Sequence, residues 1–256
     1  MTGDRLSIRP RAILFDLDDT LITAYRNPVD TWTAIIAEHA EALGEQDARW
    51  VTQGVIFRIV DFLSDREARR LWRLEADTTR RRVIRQAFHR LNLARPAGSE
   101  PLHGADADRI ADRFETYLNE TMRLKPRAIE TLDALAARGL ELALLTNGSS
   151  RTQRRKIAQF DLARHFTVIR IEEEAGVGKP DPAAYHGALA DLKLAPDDAW
   201  MIGDDPVWDV GMPRRLGLGA ILFDDLGGRE PDPSAPPHAT LTRLHDLLRL
   251  IEQARP

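Results

Sequence analysis

The stretch Ala12-Ile13-Leu14-Phe15-Asp16-Leu17-Asp18-Asp19-Thr20 runs four apolar residues straight into an acidic cluster. A short uninterrupted apolar run reads as a buried β-strand, and the carboxylates cannot continue it inside a core, so the strand delivers Asp16 at its tip. Two later segments repeat the arrangement. Leu142 to Leu145 lead into Thr146-Asn147-Gly148, and Trp200 to Ile202 lead into Gly203-Asp204-Asp205, followed by Asp209. A fourth motif, Gly178-Lys179-Pro180, lies between these two in the chain. Polar motifs at strand ends are where open α/β sheets keep their chemistry.

Outward from these motifs the periodicity changes. Between about Ala24 and Leu124 apolar residues recur at helical spacing: Trp32, Ile35, Ile36, Ala40 and Leu43; then Val55, Ile59, Phe62 and Leu63; then Ile110, Phe114, Tyr117 and Leu118. No strand is expected there. After Leu124, helix and strand alternate, the mark of a parallel sheet covered by helices. A helix carrying Ile129, Leu132, Leu135 and Ala136 stops at Gly139, a strand follows over 140–146, a basic helix over about 150–160, and a strand over 166–171. Asp181 and Pro182 have the chemistry of an N-cap and first helical residue. Strands at 200–202 and 220–223 are expected to be the last two, before a Gly- and Pro-rich connector over 227–237 and a closing helix bearing Leu241, Leu244, Leu247, Leu248 and Ile251.

The expected fold is therefore α/β: a Rossmann-like parallel sheet flanked by helices, with an α-helical cap domain inserted. The boundaries are 1–23 and 125–256 for the core and 24–124 for the cap, which leaves the core close to the commonest domain size of about 100 to 150 residues. Because the insertion begins just after the first acidic motif, it is expected to serve as a lid on it.

Bulk properties remove several functions. The chain of 256 residues carries 36 Lys plus Arg against 40 Asp plus Glu, a net charge of −4, and no such balance draws a polyanion, so nucleic acid is not an expected partner. The absence of cysteine rules out disulfides, thiolate zinc sites and thiol nucleophiles. Met1 to Arg11 lacks the apolar stretch of about 7 to 15 residues of a secretory signal, and no segment has the roughly 18 apolar residues of a membrane span. The cytoplasm is the expected location.

The motifs describe one chemistry. Phosphoryl transfer needs a nucleophile, a proton donor for the leaving oxygen and positive charge around the transferring group. Asp16 suits the nucleophile, since a carboxylate is ionised at neutral pH and forms an acyl phosphate. Asp18 suits the acid that protonates the leaving alcohol and the base that then activates water. Asp16, Asp18, Asp204, Asp205 and Asp209 crowd one sheet edge and repel one another unless a cation enters. Oxygen donors without histidine or thiol select a hard ion, and Mg2+ suits a site that meets phosphate. Asp16 and Asp204 are the expected side-chain ligands, with the carbonyl of Asp18 as a third. Asp209 and Asp205 stand behind them, ordering a ligand or a bound water. Lys179 is expected to neutralise both Asp16 and phosphate. Thr146 offers a hydroxyl, and the turn at Asn147 and Gly148 offers backbone amides to an oxyanion.

Each motif alone is ordinary turn or cap chemistry; the weight lies in all four occurring in order. The arginines of 66–95 have acidic neighbours in Asp65, Glu67, Glu75 and Asp77, so a solvated face with local ion pairs is expected there. Trp32, Trp50 and Trp72 read as cap core. The histidines, from His39 to His245, show no metal-ligand spacing and are expected at the surface with no role.

Together these segments resemble the haloacid dehalogenase superfamily, specifically its Mg2+-dependent phosphatases with a helical cap after the first motif. The resemblance implies Asp16 as nucleophile and metal ligand, Asp18 as acid/base, Thr146 as phosphate binder, Lys179 as the charge-stabilising lysine, and Asp204 as metal ligand supported by Asp209. The dehalogenases of the family lack an acid at the place of Asp18, so that residue favours phosphate esters. The opening over Phe15 to Ile22 is most similar to the acylneuraminate-9-phosphatase-like group. One departure is Met212-Pro213, where the family usually has a small Gly-Ala pair. The expected activity is hydrolysis of a small phosphorylated metabolite, a sugar-acid, sugar or nucleotide phosphate, by a monomer or homodimer. The alternatives are a phosphomutase of the same fold and a non-catalytic phosphate-binding protein.

Overall fold

Eight strands make two sheets in the computed structural model, which describes residues 6, 8–25, 28–44, 47–95 and 97–255. The strands are β1 (Ala12–Phe15), β2 (Ile22–Thr23), β3 (Arg123–Leu124), β4 (Glu141–Thr146), β5 (Val168–Ile171), β6 (Ala199–Gly203), β7 (Gly219–Phe223) and β8 (Ala239–Leu241). Six of them form a parallel sheet in the order β5-β4-β1-β6-β7-β8. Every residue of β1, β6 and β7 is buried. That burial on both faces is why these strands read as unbroken apolar runs and not as alternating ones.

The chain divides into two compact units, one of Met1–Ala24 with Arg123–Pro256 and one of Tyr25–Met122. In the first unit the helices are α6 (Ala128–Ala137), α7 (Ser150–Gln159), α8 (Glu172–Ala175), α9 (Pro182–Leu192), α10 (Met212–Leu216) and α11 (Leu247–Gln253). The second unit holds α1 (Pro28–Glu38), α2 (Ala48–Leu63), α3 (Arg66–Leu74), α4 (Ala76–Ala94) and α5 (Gly104–Thr121). Among the described residues, no helix is long and apolar enough to cross a membrane.

Three features differ from the sequence expectation. β2 and β3 pair antiparallel, Ile22 with Leu124 and Thr23 with Arg123, so the helical unit is entered and left through a two-stranded ribbon too short to leave a periodic signal. β8 is a further strand beyond the expected last two; it pairs parallel with β7, Ile221 level with Ala239 and Phe223 level with Leu241. Leu241, expected on the closing helix, therefore belongs to a strand, and the helix starts at Leu247. The departure at Met212-Pro213 opens α10, where Pro213 is buried at the first turn, a position that tolerates a missing N–H.

The helical unit has its own core, in which Trp32, Ile35, Val55, Val83, Phe88 and Ile110 are buried and Trp50 and Trp72 pack at its margin. Trp32 stacks on Phe114 with ring centroids 4.5 Å apart. The arginine stretch forms ion pairs, but its best partners lie on α5 and not within the stretch. Arg81 holds Asp112 through two hydrogen bonds of 2.6 and 2.7 Å, and Arg85 likewise grips Asp108. Of the acids expected to serve, Glu67 pairs with Arg70 and Asp77 with Arg80, while Asp65 instead caps α3 by accepting from Ala68 N. Helical periodicity reports a face but not which helix lies across from it, and that missing information is what the expectation lacked.

Truncating a buried indole removes transfer energy and leaves a cavity. Trp32→Ala is expected to destabilise the helical unit by about 3 to 5 kcal/mol, measured by urea unfolding; a loss below about 1 kcal/mol would place Trp32 outside the core.

Candidate active site

The sheet order places β1 between β4 and β6, with later strands added outward on both sides. The carboxyl end of β1 is thus the switch point, where a crevice opens between diverging connections. Register brings the motifs level: Phe15 aligns with Leu144 on one side and Ile202 on the other. One residue further on, Asp16 N donates to Ile202 O at 3.0 Å. The chain then coils tightly, with Leu21 N and Ile22 N both donating to Leu17 O. Asp19 adopts φ 60° in this coil and accepts from Ala24 N at 2.9 Å. This local hydrogen bonding is what lets an aspartate hold a left-handed conformation.

Lys179 is at the centre of the polar groups. Its ammonium is buried and donates to Asp16 Oδ1 at 2.6 Å and to Asp209 Oδ1 at 2.7 Å. The backbone of Lys179 is clipped at both ends by one side chain: Asn147 Nδ2 donates to Lys179 O at 2.7 Å, and Lys179 N donates to Asn147 Oδ1 at 2.8 Å. Gly178 has no room for a side chain, since a Cβ there would fall 2.6 Å from Glu172 Cγ and 2.7 Å from Asn147 Oδ1. On β6 the same holds for Gly203, where a Cβ would sit 2.2 Å from Asp209 Cγ. Asp209 also accepts from Asp205 N at 3.0 Å. Asp16 Oδ2 accepts from Thr20 Oγ1 at 3.1 Å, and Asp204 is hydrogen-bonded by Arg229.

Asp16, Asp204 and Asp209 each offer one carboxylate oxygen, and these oxygens all lie within 4.8 Å of one another, a set that can hold a metal ion. Their electrostatics fit the same conclusion. Burial pushes the Asp16 carboxyl up to about 7 although Lys179 pulls the other way, and Asp209 adds to the rise. Burial, with Asp16 and Asp209 alongside, pushes Asp204 up to about 9, opposed by Arg229. Asp209 is raised by burial as well, against the pull of Lys179. Burial disfavours the Lys179 ammonium, but Asp16 and Asp209 outweigh it and hold the lysine charged. Lys179 reaches two of these carboxylates and Arg229 the third, and a set of three hard oxygen donors gathered so closely suits a divalent cation.

The remaining expected residues are near but differently engaged. Thr146 ends β4, buried, and its Oγ1 accepts from Gln153 Nε2 at 2.5 Å. The amide side chain of Asn147 is committed to Lys179, and the Gly148 N–H offered to an anion donates instead to Glu172 Oε2 at 3.0 Å. Asp205 caps the turn that follows, accepting from Val207 N and Trp208 N at 2.8 and 2.7 Å. The Asp18 carboxylate meets Lys156 Nζ at 2.7 and 2.9 Å and Gln153 Nε2 at 3.0 Å.

Sequence reasoning missed Lys156, Gln153, Arg229, Glu172 and the hydroxyl of Thr20. Lys156 and Gln153 were hidden in a helix that reads only as basic, and Arg229 in a connector; only the three-residue spacing of Gln153 and Lys156 hinted at a shared face. Some histidines also do more than decorate the surface. His165 pairs with Asp133 at 3.0 Å with its ring nearly buried, His238 accepts from Ala220 N at 3.0 Å, and His245 lies 3.2 Å from Thr131 Oγ1.

Comparison with known proteins points the same way. The family model for haloacid dehalogenase-like hydrolases matches residues 10–217. A phosphoserine phosphatase of Thermus thermophilus is 35% identical over 86% of this chain and 78% of its own length. The N-acylneuraminate-9-phosphatase of Mus musculus is 24% identical over 95% of this chain and 94% of its own. In fold, the chain is similar to the putative hydrolase YfnB of Bacillus subtilis, with a TM-score of 0.68, 20% identity and coverage of 95% and 99% of the two chains. With its four motifs gathered at the switch point and the family model spanning most of its length, the chain belongs to the haloacid dehalogenase-like hydrolases.

Proposed function

We propose that this hydrolase is a Mg2+-dependent phosphomonoesterase that works through an aspartyl-phosphate intermediate. The observation that carries the reading is the buried contact of Lys179 with Asp16 beside the oxygens of Asp204 and Asp209. It supplies a carboxylate nucleophile, a fixed cation and a metal-binding set within one site. The phosphatase names of its relatives support the same reaction.

In this mechanism Asp16 attacks phosphorus while the ester oxygen departs with a proton from Asp18. Water then gives its proton to Asp18 and attacks the phosphorus of the aspartyl phosphate, which frees inorganic phosphate and restores Asp16. Lys179 faces the transferring oxygens with a charge that burial and two carboxylates keep in place. Thr146 orients phosphate through its hydroxyl. Asn147 acts on the lysine, because its amide fixes the Lys179 backbone. Mg2+, when bound, would be held by Asp16 and Asp204 with the Asp18 carbonyl, Asp209 standing beside them, and would neutralise the developing phosphoryl charge.

The core over 1–23 and 125–256 carries this chemistry, and the helical insertion of 24–124 is the cap that chooses the leaving group. The substrate is a small phosphorylated metabolite, and the enzyme works in the cytoplasm as a monomer or homodimer. Phosphoserine and acylneuraminate phosphate join sugar phosphates, nucleoside monophosphates and phosphoglycolate in the screen that ranks substrates. Steady release of phosphate without a bisphosphate primer separates this reading from a phosphomutase, and any turnover separates it from a binding protein.

Asp16→Asn is expected to abolish phosphate release, by at least about a thousandfold, and to abolish trapping of beryllofluoride with Mg2+; a variant that retains either overturns the nucleophile assignment. A second expectation follows from the raised carboxyls. Stability that Asp16 and Asp204 contribute is full below their ordinary value of 3.8 and is lost as pH rises through about 7 and about 9. Chelator-treated protein should therefore melt at lower temperature from pH 5 to 9. Mg2+ should restore more at pH 8 than at pH 5.5, since the ligands must shed protons to bind it. At a hundredfold excess over Kd the gain corresponds to about 2.7 kcal/mol, or about 5 to 10 °C for a chain of this length. A pH-independent gain would place the ion elsewhere.

A further inference from the structure

A buried lysine that the mechanism above leaves unused lies on α7. Lys156 is 1% exposed and its ammonium reaches both oxygens of Asp18, at 2.7 and 2.9 Å. Three residues earlier on the same helix face, buried Gln153 places one amide nitrogen 3.0 Å from Asp18 Oδ2 and 2.5 Å from Thr146 Oγ1. The Asp18 carboxylate is therefore held in position and orientation by one ammonium, and tied by one amide to the hydroxyl at the end of β4.

The platform for these two side chains is itself fixed. Ser149 caps α7 by accepting from Thr152 N. Three consecutive glutamates of α8 fasten the helix start: Glu172 to Gly148 N, Glu173 to Ser150 N at 2.6 Å, and Glu174 to Ser150 Oγ and the Arg154 guanidinium. A helix tied down this way places Lys156 and Gln153 with the rotamer restriction that precise orientation of a reacting group requires.

We infer that Lys156 and Gln153 are positioning residues that act through Asp18, setting where its carboxyl stands relative to the leaving oxygen and to the Thr146 hydroxyl. The inference rests on the phosphatase reading and on Asp18 as its acid. It gives the expelled group a diagnostic role. An alkoxide needs a proton as it leaves, whereas p-nitrophenolate does not, so a misplaced acid harms alkyl esters selectively.

The test measures kcat/KM, which reports steps up to formation of the aspartyl phosphate, on p-nitrophenyl phosphate and on glycerol phosphate. Wild type, Lys156→Met, Lys156→Arg, Gln153→Leu, Asp18→Asn and the Lys156→Met/Asp18→Asn pair are compared with Mg2+ present, after circular dichroism shows each is folded. Asp18→Asn is expected to lose about a hundredfold or more on glycerol phosphate, with a far smaller loss on the aryl ester. Lys156→Met should lose about tenfold or more on the alkyl ester and at most a few-fold on the aryl one. Lys156→Arg should recover much of that loss, and the double variant should fall no further than Asp18→Asn. Equal losses of Lys156→Met on both esters, or additive losses in the pair, overturn the positioning role while leaving the phosphatase reading intact. A wild type that hydrolyses neither ester, or an Asp18→Asn that does not discriminate between them, overturns the underlying reading and this inference with it. Should Lys156→Met fail to fold, Gln153→Leu carries the same comparison, and equal losses there count against the role.

Discussion

The organisation of the core rests on one buried ammonium between two buried carboxylates. Lys179 bridges Asp16 and Asp209, groups supplied by three chain segments distant in sequence. Removing one partner of a buried pair leaves the others charged without compensation, at a cost of about 3 to 5 kcal/mol. The segments that bring these groups together are correspondingly restricted. Gly203 and Gly178 clear the space that Asp209 and the lysine loop occupy, and Asn147 fixes the lysine backbone on both sides. Even so, the triad is not neutral. With Asp204 added there are three carboxylates facing Lys179 and, on Asp204, Arg229, and burial first, then the neighbouring carboxylates, pushes Asp16, Asp204 and Asp209 upward, an arrangement that favours a further positive charge.

Topology explains why the convergence needs so little chain. In a parallel sheet whose central strand comes first in sequence, the next strands build outward on one side and then on the other. Three strand ends, those of β1, β4 and β6, therefore abut, and a residue placed directly after each meets the others without a long loop. The fourth contribution, Lys179, comes from the connection between α8 and α9. The ribbon made by β2 and β3 pairs the residues on either side of the helical unit, Ile22 with Leu124 and Thr23 with Arg123.

Long-range polar pairing was the part hardest to read from the sequence. The parallel sheet was legible because doubly buried strands must be continuous apolar runs, and Asp16, Thr146 and Asp204 were legible because each follows such a run at once. β8 was not, since Ala239-Thr240-Leu241 is three residues long and gains its identity from β7 alongside. Nor were Lys156 and Gln153, because α7 is polar along most of its length, and a lysine that pairs with a carboxylate 138 residues away looks in sequence like any solvated lysine. The arginines of α4 teach the same point: a charged helix face was evident, but Asp108 and Asp112 as its partners depended on the packing of α5.

The six aspartates of the first and fourth motifs show how far partners, and not residue type, divide the labour. Asp16, Asp204 and Asp209 share one point in space, and there burial and mutual repulsion favour a cation. Asp205, adjacent in sequence to Asp204, turns its carboxylate to the backbone amides of Val207 and Trp208 and serves the local turn. Asp19, adjacent to Asp18, does the same for Ala24 N. Asp18 alone among them has an ammonium on both oxygens and no carboxylate in the metal-capable set. Its tether to α7 through Lys156 and Gln153 sets it apart from Asp16, two residues earlier, whose carboxylate faces Lys179 and the other members of that set.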